Sequence, residues 1–207
     1  MSRWPECRQI VFLSLAILWG CEGQAQSPAL VVPKAPETWV AQESERTWKF
    51  LVLHHSATES GSVESIDAEH RQRRDSAGEP WRGIGYHFVV GNGNGLGDGV
   101  VAPTFRWKEQ SAGAHAGQAD YNEHGIGICL IGNFEETRPT AKQLESLQRL
   151  VGYLKREHAI STDRVLKHGD IKGTACPGRN FPASIVAATP PWRKAQEATD
   201  LHQENRR

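Results

Sequence analysis

One apolar run, which ends in two adjacent histidines, constrains the fold of this chain most. Residues Lys49 to His55 read Lys-Phe-Leu-Val-Leu-His-His, and the polar Ser56-Ala57-Thr58 follows them. A short run of strand-forming residues with a polar stop is typical of a buried central strand. Because neighbouring residues on a strand face opposite ways, only one of His54 and His55 can point at a given site. We expect the other to be a packed or hydrogen-bonded histidine.

A second motif is the glycine-broken loop from Lys167 to Gly178, which holds an imidazole and a thiol. Both are good zinc ligands, so His168 and Cys176 are the first candidate metal ligands. Structural zinc sites usually close all four positions with paired Cys-x-x-Cys or His-x-x-x-His spacings, which this loop lacks. A third ligand would have to come from a distant part of the chain. The loop alone is equally compatible with a surface histidine and a buried free cysteine that never meet.

The four cysteines do not indicate a disulfide framework. Cys7 and Cys21 fall in or next to the N-terminal leader described below, so two cysteines remain in the rest of the chain. Cys129 lies in an apolar, strand-like run and is predicted to be a core residue. Cys176 could pair with Cys129, but its ligand-rich setting favours a metal.

The N-terminal segment has the pattern of a signal peptide. Two arginines precede an apolar run at residues 10–19 that is too short to span a bilayer. Two processing points compete. Leu-Trp-Gly-Cys ending at Cys21 resembles a lipoprotein box and would make residues 1–20 a lipoprotein signal, whereas Gly-Gln-Ala ending at residue 25 suits ordinary cleavage of residues 1–25. We expect an exported protein, periplasmic or extracellular, with membrane anchoring through a lipidated Cys21 as one of these two outcomes.

The rest of the chain divides into a linker, one domain and a tail. Residues 26–45 are polar with prolines and alanines and have no sustained period, residues 46–190 suit one domain with a sizeable core, and residues 191–207 form a polar tail. Loss of residues 1–20 removes two arginines and one glutamate and leaves 22 basic and 23 acidic residues. This balance gives no indication of nucleic acid binding. We expect a monomer.

Strand and turn patterns follow the first strand. Trp81 to Val90 predicts a second strand, and the glycine-rich residues 91–99 predict a hairpin turn. The same glycines do not form a phosphate-binding loop, because no Gly-Lys-Ser/Thr ending and no helix follow them. Asp163 to Leu166 predicts a short strand that leads into the loop of His168.

Glycines also mark two other segments. Ile126 to Phe134 predicts a third buried strand whose glycines indicate close packing or a close backbone approach. Residues 113–117 read Gly-Ala-His-Ala-Gly and predict a loop in which small neighbours leave His115 room beside a ligand.

Two helices are predicted between these strands. Residues 65–74 form a polar helix, whose His70 and arginines are expected on a solvated face. Thr140 and Gln143 have the spacing of a capping box. Core-facing residues at helical spacing follow the box: Leu144, Leu147, Leu150, Val151 and Leu154. Strands and helices therefore intermix in one domain.

Five ordered motifs within residues 50–181 give the chain a resemblance to a known family. They are Leu-His-His-Ser-Ala-Thr at His54, Gly-Ile-Gly-Tyr-His-Phe at Tyr86, Gly-Ala-His-Ala-Gly at His115, Gly-Ile-Cys-Leu-Ile-Gly-Asn-Phe at Asn133, and His-Gly-Asp with Thr-Ala-Cys-Pro-Gly at the end. In these motifs the chain resembles the zinc-dependent N-acetylmuramoyl-L-alanine amidases of the type-2 amidase and peptidoglycan recognition protein superfamily.

The resemblance implies a zinc site and a fold. The family's zinc ligands match His54, His168 and Cys176, which leaves His55 structural. The fold it implies is α/β, a single domain with a mixed central β-sheet flanked by helices and a zinc site in a surface groove. Two neutral imidazoles and one thiolate leave zinc with a net charge of about +1 and an open fourth position for water.

The resemblance also implies assistants and substrate contacts. The family's catalytic tyrosine matches Tyr86, and the catalytic position two residues before the cysteine is Thr174. A phenol and a hydroxyl can donate hydrogen bonds, but neither is a good base at neutral pH, so both are expected to assist. Trp81, His115 and Asn122 match residues that contact the muramyl peptide.

The expected activity is cleavage of the amide bond between N-acetylmuramic acid and L-alanine of the peptidoglycan stem peptide. Peptidoglycan or muropeptides would be the partners and Zn²⁺ the cofactor. The alternative is a recognition protein that binds peptidoglycan without cutting it. Superfamily members of that kind have lost the loop cysteine, so the presence of Cys176 favours an enzyme. An amidase for soluble anhydro-muropeptides is a third, weaker interpretation.

Overall fold

The centre of the fold is a mixed five-stranded sheet, seen in a computed structural model that describes residues 35 to 187 with gaps at 45, 76 and 183. Its order is β3-β2-β4-β1-β5. Only β3 is antiparallel to its neighbour, while the other pairs are parallel. The strands are β1 (Phe50–His55), β2 (Phe88–Val90), β3 (Val101–Pro103), β4 (Gly125–Leu130) and β5 (Val165–Lys167).

Helices flank this sheet, as the resemblance implied. Within the described ranges, none of them combines the length and the apolar character needed to cross a bilayer. The helices are α1 (Val63–His70), α2 (Phe105–Lys108), α3 (Ala119–His124), α4 (Ala141–Glu157), α5 (His168–Ile171) and α6 (Ser184–Ala187), with 3-10 turns at Glu37–Trp39 and Thr162–Arg164.

The longest helix, α4, covers one face of the sheet. The predicted capping box is present, because the Gln143 amide donates to Thr140 Oγ1 at 3.0 Å and the Thr140 amide donates to Gln143 Oε1 at 3.1 Å. Full burial of a leucine or valine side chain contributes about 1.5–3 kcal/mol, so the burial of four such residues stabilises the core substantially. The buried helix residues are Leu147, Leu150, Val151 and Leu154, and they pack with Leu51, Leu53, Ile126 and Ile128 of the sheet.

The second predicted strand is too long. Only Phe88–Val90 joins the sheet, because backbone groups before it bond to side chains of α1 instead. The amide of Ile84 donates to Asp67 Oδ1 at 2.8 Å, and the amide of Gly85 donates to His70 Nδ1 at 2.9 Å.

The boundaries of the other strands differ less. The predicted third strand, Ile126 to Phe134, is observed as Gly125–Leu130, because the positive φ of 147° at Gly132 turns the chain away from the sheet. The predicted strand Asp163 to Leu166 is shifted to Val165–Lys167. The hairpin prediction is confirmed, since residues 91–99 connect the antiparallel β2 and β3.

The prediction of a solvated His70 is wrong. This side chain is 3% exposed and accepts a hydrogen bond from the chain that leads into β2. Ile66 lies one helical turn earlier on α1 and is also buried. The i, i+4 spacing of these two residues is the sequence signal for a shared buried face.

Part of the predicted linker, 26–45, belongs to the folded unit. Trp39 is 6% exposed, its ring lies 5.7 Å from that of Tyr153, and its carbonyl accepts a hydrogen bond from Trp107 Nε1 at 2.7 Å. The predicted signal segment, 1–25, and the polar tail, 191–207, lie outside the described residues.

Candidate metal centre

Two adjacent parallel strands bring two candidate ligands together. His54 is near the carboxyl end of β1, and His168 directly follows β5. Leu53 pairs with Lys167, so the residues that come next on the two strands are neighbours. Parallel pairing therefore places the two imidazoles at the same edge of the sheet, with ring centroids 4.6 Å apart.

The third candidate ligand is Cys176, in the loop after α5. One ligand atom from each of His54, His168 and Cys176 lies within 4.8 Å of the others. Cys176 Sγ is 3.7 Å from Nδ1 of His54. His54 is fully buried, whereas the other two side chains are partly exposed. The cluster thus has one ligand in the core, and its exposed side is the side of His168 and Cys176.

Hydrogen bonds to the turn that follows β4 hold the loop of Cys176. The carboxylate of Glu135 accepts from the Arg179 amide at 2.7 Å and from Arg179 Nε at 2.9 Å. The Cys176 carbonyl accepts from the Gly169 amide at 2.8 Å, which connects the loop to α5. These contacts fix the thiol relative to β1 without any covalent link, since Cys129 and Cys176 are both free.

The protonation of the cluster suits a metal cation. Burial, with a smaller effect of His115 and His168, lowers the pKa of His54 well below its usual value, and burial also lowers the pKa of His168. Both imidazoles are therefore neutral at neutral pH, the form that binds metals. Burial raises the pKa of the Cys176 thiol to about 11, so its thiolate needs a nearby cation. Two neutral imidazoles and one thiol fit Zn²⁺.

Tyr86 lies beside this cluster. Its ring centroid is 5.1 Å from that of His54 and 5.5 Å from that of His70. Burial, assisted by the thiols of Cys129 and Cys176, raises the pKa of Tyr86 well above its usual value. The hydroxyl therefore keeps its proton and can act as a hydrogen-bond donor but not as a base.

Thr174 lies in the same loop as the thiol and is exposed. Its Oγ1 accepts a hydrogen bond from the Cys176 amide at 3.2 Å. The hydroxyl proton is not needed for this contact, so it can be donated to another group.

The three predicted substrate contacts lie at different depths. His115 is 8% exposed, and its Nδ1 is 3.0 Å from Nε2 of His54. Asn122 Oδ1 accepts from the amide of His115 at 2.8 Å and from the next amide at 2.9 Å. Trp81 is half-buried, and its ring lies 5.4 Å from that of His70. His115 therefore contacts the candidate ligand His54 directly, and Asn122 binds the backbone of His115 and of the next residue.

The chain is similar in sequence and in fold to known proteins. The family model described as N-acetylmuramoyl-L-alanine amidase (Amidase_2) matches residues 44–179, which include the candidate ligands and Tyr86. The Endolysine N-acetylmuramoyl-L-alanine amidase LysCS from Clostridium intestinale URNW is similar at a TM-score of 0.58 and 32% identity, over 69% of this chain and 82% of that one.

Two further proteins are similar to the chain. N-acetylmuramoyl-L-alanine amidase LysC from Clostridium intestinale URNW has a TM-score of 0.58 and 31% identity, over 75% of this chain and 96% of that one. Peptidoglycan-recognition protein LE from Drosophila melanogaster is 31% identical over 164 residues, which are 73% of this chain and 44% of that protein. By its sequence motifs, its fold and these matches, the chain belongs to the N-acetylmuramoyl-L-alanine amidase family, Amidase_2.

Proposed function

We propose that this protein is a zinc-dependent N-acetylmuramoyl-L-alanine amidase that cleaves the bond between the lactyl group of N-acetylmuramic acid and L-alanine of the stem peptide. The observation that carries the proposal is the convergence of His54, His168 and Cys176 within 4.8 Å, beside the hydroxyl-bearing ring of Tyr86. Membership of the amidase family and the likeness to two amidases support the same reaction.

The three ligands would hold Zn²⁺ and leave one position open on the exposed side of the cluster. When bound there, zinc supplies Lewis acidity toward a carbonyl and lowers the pKa of water toward about 7. His54 anchors the site because it is fully buried on the central strand. His168 and Cys176 complete it from segments at the surface.

Tyr86 and Thr174 would assist the reaction as hydrogen-bond donors. Hydrolysis of an amide develops negative charge on the carbonyl oxygen and needs a proton for the leaving amine. Tyr86 keeps its hydroxyl proton because burial raises its pKa, so it can donate to the developing oxyanion. Thr174 can donate as well, since its oxygen already accepts from the Cys176 amide.

A second function has support from the relatives. The similar protein LE is named a peptidoglycan-recognition protein, so binding of peptidoglycan without cleavage is the alternative. The presence of all three candidate ligands, Cys176 included, favours the enzyme.

Intact sacculi and soluble muropeptides, incubated with the purified protein with and without zinc, test the two functions. We expect zinc-dependent release of stem peptides with a free L-alanine amino terminus, detected by mass spectrometry. The Cys176→Ala variant is the matched control and should bind sacculi without releasing peptides. A parent protein that is loaded with zinc, binds sacculi and releases nothing would favour recognition.

We further propose export, on the basis of the sequence pattern at residues 1–25. Lipidation would attach a diacylglyceryl group to the thiol of Cys21, the first residue after cleavage, and would move the protein into the membrane fraction. Fractionation of cells and mass spectrometry of the mature amino terminus test this prediction. A soluble form that begins at Gln26 would contradict lipidation but agree with ordinary export.

A further inference from the structure

His115 is almost completely buried and contacts a candidate zinc ligand. Its Nε2 is 3.2 Å from the carbonyl oxygen of Gly125, which can only accept, so Nε2 must carry the proton. The Nδ1 of a neutral His115 is then an acceptor, and the partner at 3.0 Å, His54 Nε2, must donate to it. Consequently the lone pair of His54 is on Nδ1, the nitrogen that lies 3.7 Å from Cys176 Sγ.

The next residue in the chain makes the corresponding contact to the second histidine. His168 Nε2 is 3.3 Å from the carbonyl oxygen of Ala116, which again can only accept. His168 therefore carries its proton on Nε2 and has its lone pair on Nδ1. Residues 113–117, called here the backing loop, thus accept one hydrogen bond from each of the two histidines.

Hydrogen bonds fix the backing loop in place. Asn122 Oδ1 accepts from the amides of His115 and Ala116, and the Asn122 carbonyl accepts from the amide of Gly113 at 2.8 Å. The amide of Ala114 donates to the Gly85 carbonyl at 3.0 Å, close to Tyr86 in the chain. The loop is therefore tied at both of its sides.

Two glycines form a slot for the imidazole of His115. A Cβ on Gly113 would lie 2.4 Å from Cδ2 of His115, and a Cβ on Gly127 would lie 2.5 Å from the same atom. Such distances are far below van der Waals contact, so any larger residue at either position would displace the ring. The ring of His115 therefore lies between two positions at which a side chain would collide with it.

We propose that the backing loop is a preformed support for the metal site, in which His115 and the Ala116 carbonyl, secured by Asn122, orient His54 and His168 with Nδ1 toward zinc. This inference rests on the proposed zinc dependence. It makes His115 and Asn122 positioning residues, in place of the substrate contacts that the family resemblance implied. Acceptors that hold the second nitrogen of a metal-bound histidine typically change metal affinity by about 10–100-fold.

The first test uses His115→Phe and His115→Gln. Phenylalanine keeps an aromatic ring but removes the acceptor for His54, so zinc affinity should fall by about 10–100-fold. Glutamine restores an acceptor and should recover a large part of that loss. Zinc affinity is measured by competition with a chromophoric chelator. The matched control is His124→Phe, whose side chain faces Asp120 instead of the ligands and should leave zinc affinity at the parent value.

A second readout is the tautomer of the two histidines in the metal-free protein, measured by ¹⁵N NMR. We expect the proton on Nε2 of both His54 and His168 in the parent, and a loss of this preference at His54 alone in His115→Phe. A proton on Nδ1 in the parent would overturn the inference. So would a His115→Phe variant that binds zinc as tightly as the parent. A parent protein that binds no zinc would instead overturn the proposed function.

Two further variants test the position of the His115 ring and the anchoring of the backing loop by Asn122 separately. Gly127→Ala adds a methyl group where the His115 ring lies and should lower zinc affinity, whereas Gly61→Ala meets only ordinary contacts at 3.6 Å and should not. Asn122→Ala should lower zinc affinity, and Asn122→Asp, which keeps both acceptor contacts, should restore it. Unchanged zinc affinity in both Gly127→Ala and Asn122→Ala would contradict the role of the loop.

Discussion

At the scale of single residues, the packing role of Tyr86 can be separated from its chemical role, because phenylalanine differs from tyrosine only by the hydroxyl group. Phenylalanine keeps the ring contacts with His54 and His70 and removes the hydroxyl. If that hydroxyl donates to the developing oxyanion, Tyr86→Phe should lower kcat by about 10²-fold or more while zinc content stays unchanged. The measurement is kcat on a soluble muropeptide, with zinc content determined on the same sample.

Substitutions of Thr174, the other proposed hydrogen-bond donor, provide the comparison for this experiment. Thr174→Ala removes the second donor, and Thr174→Ser keeps it in a similar position. A Tyr86→Phe enzyme that turns over like the parent would show that its hydroxyl is dispensable. The assignment of the main donor would then pass to Thr174, provided that Thr174→Ala is slow and Thr174→Ser is not.

Some features of the site could be predicted from the sequence, and others could not. The three ligands could be proposed from the order of motifs, and the opposite orientations of His54 and His55 follow from strand geometry alone. The contact between His115 and His54 could not be predicted, because it joins residues 61 positions apart and depends on the empty space at Gly113 and Gly127. The sequence did indicate close packing or a close backbone approach at Gly127, and room beside His115 in the loop that begins at Gly113.

At the scale of elements, Gln143 connects α4 to the sheet. It is 1% exposed, and its Nε2 donates to the carbonyls of Val90 at 3.2 Å and Ile131 at 2.8 Å. Gln143→Ala would break the capping box and leave two buried carbonyls without this donor. We expect the free energy of unfolding to fall by about 2–3 kcal/mol, measured by urea denaturation.

An exposed residue on the same helix is the control. Glu145→Ala should change the free energy of unfolding by less than about 0.5 kcal/mol, because the side chain is exposed. Equal stability of the Gln143 and Glu145 variants would mean that water replaces the amide without cost.

Element boundaries were predictable where an element is determined by its own residues. Helix α4 and strand β1 have strong local patterns, and both were found within a few residues of their observed ends. The predicted start of β2 was wrong because two side chains of α1, Asp67 and His70, accept hydrogen bonds from backbone amides that a longer strand would have used for pairing. Such a side-chain contact leaves no periodic signal in the strand itself.

At the scale of the whole molecule, buried neutral histidines make the fold sensitive to acid. Burial lowers the pKa of His70 and of His115 to about 4, and lowers the pKa of His87 well below its usual value. The unfolded chain takes up these protons near pH 6.5, so it binds more protons than the folded chain below that value. The stability of the metal-free protein is therefore full above about pH 6.5 and falls as the pH drops toward 4.

Urea denaturation of the metal-free protein at several pH values tests this expectation. Each such histidine contributes a slope of up to about 1.4 kcal/mol per pH unit between its two pKa values. His70→Gln keeps an acceptor for the Gly85 amide but cannot be protonated, so its stability should fall less steeply. An identical slope in parent and variant would show that His70 is not the source.

The convergence of the ligands also has a topological consequence. His54 is on the first strand, and Cys176 lies beyond the last one, with both cysteines free of disulfide bonds in the described part of the chain. An ion bound there would act as a removable cross-link that closes a ring through most of the folded unit. Bound at about 100 times its dissociation constant, it would add about 2.7 kcal/mol to the free energy of unfolding. Chelation should therefore lower Tm in the parent but not in Cys176→Ala, because in the parent the ion restrains the first strand and the loop beyond the last strand together.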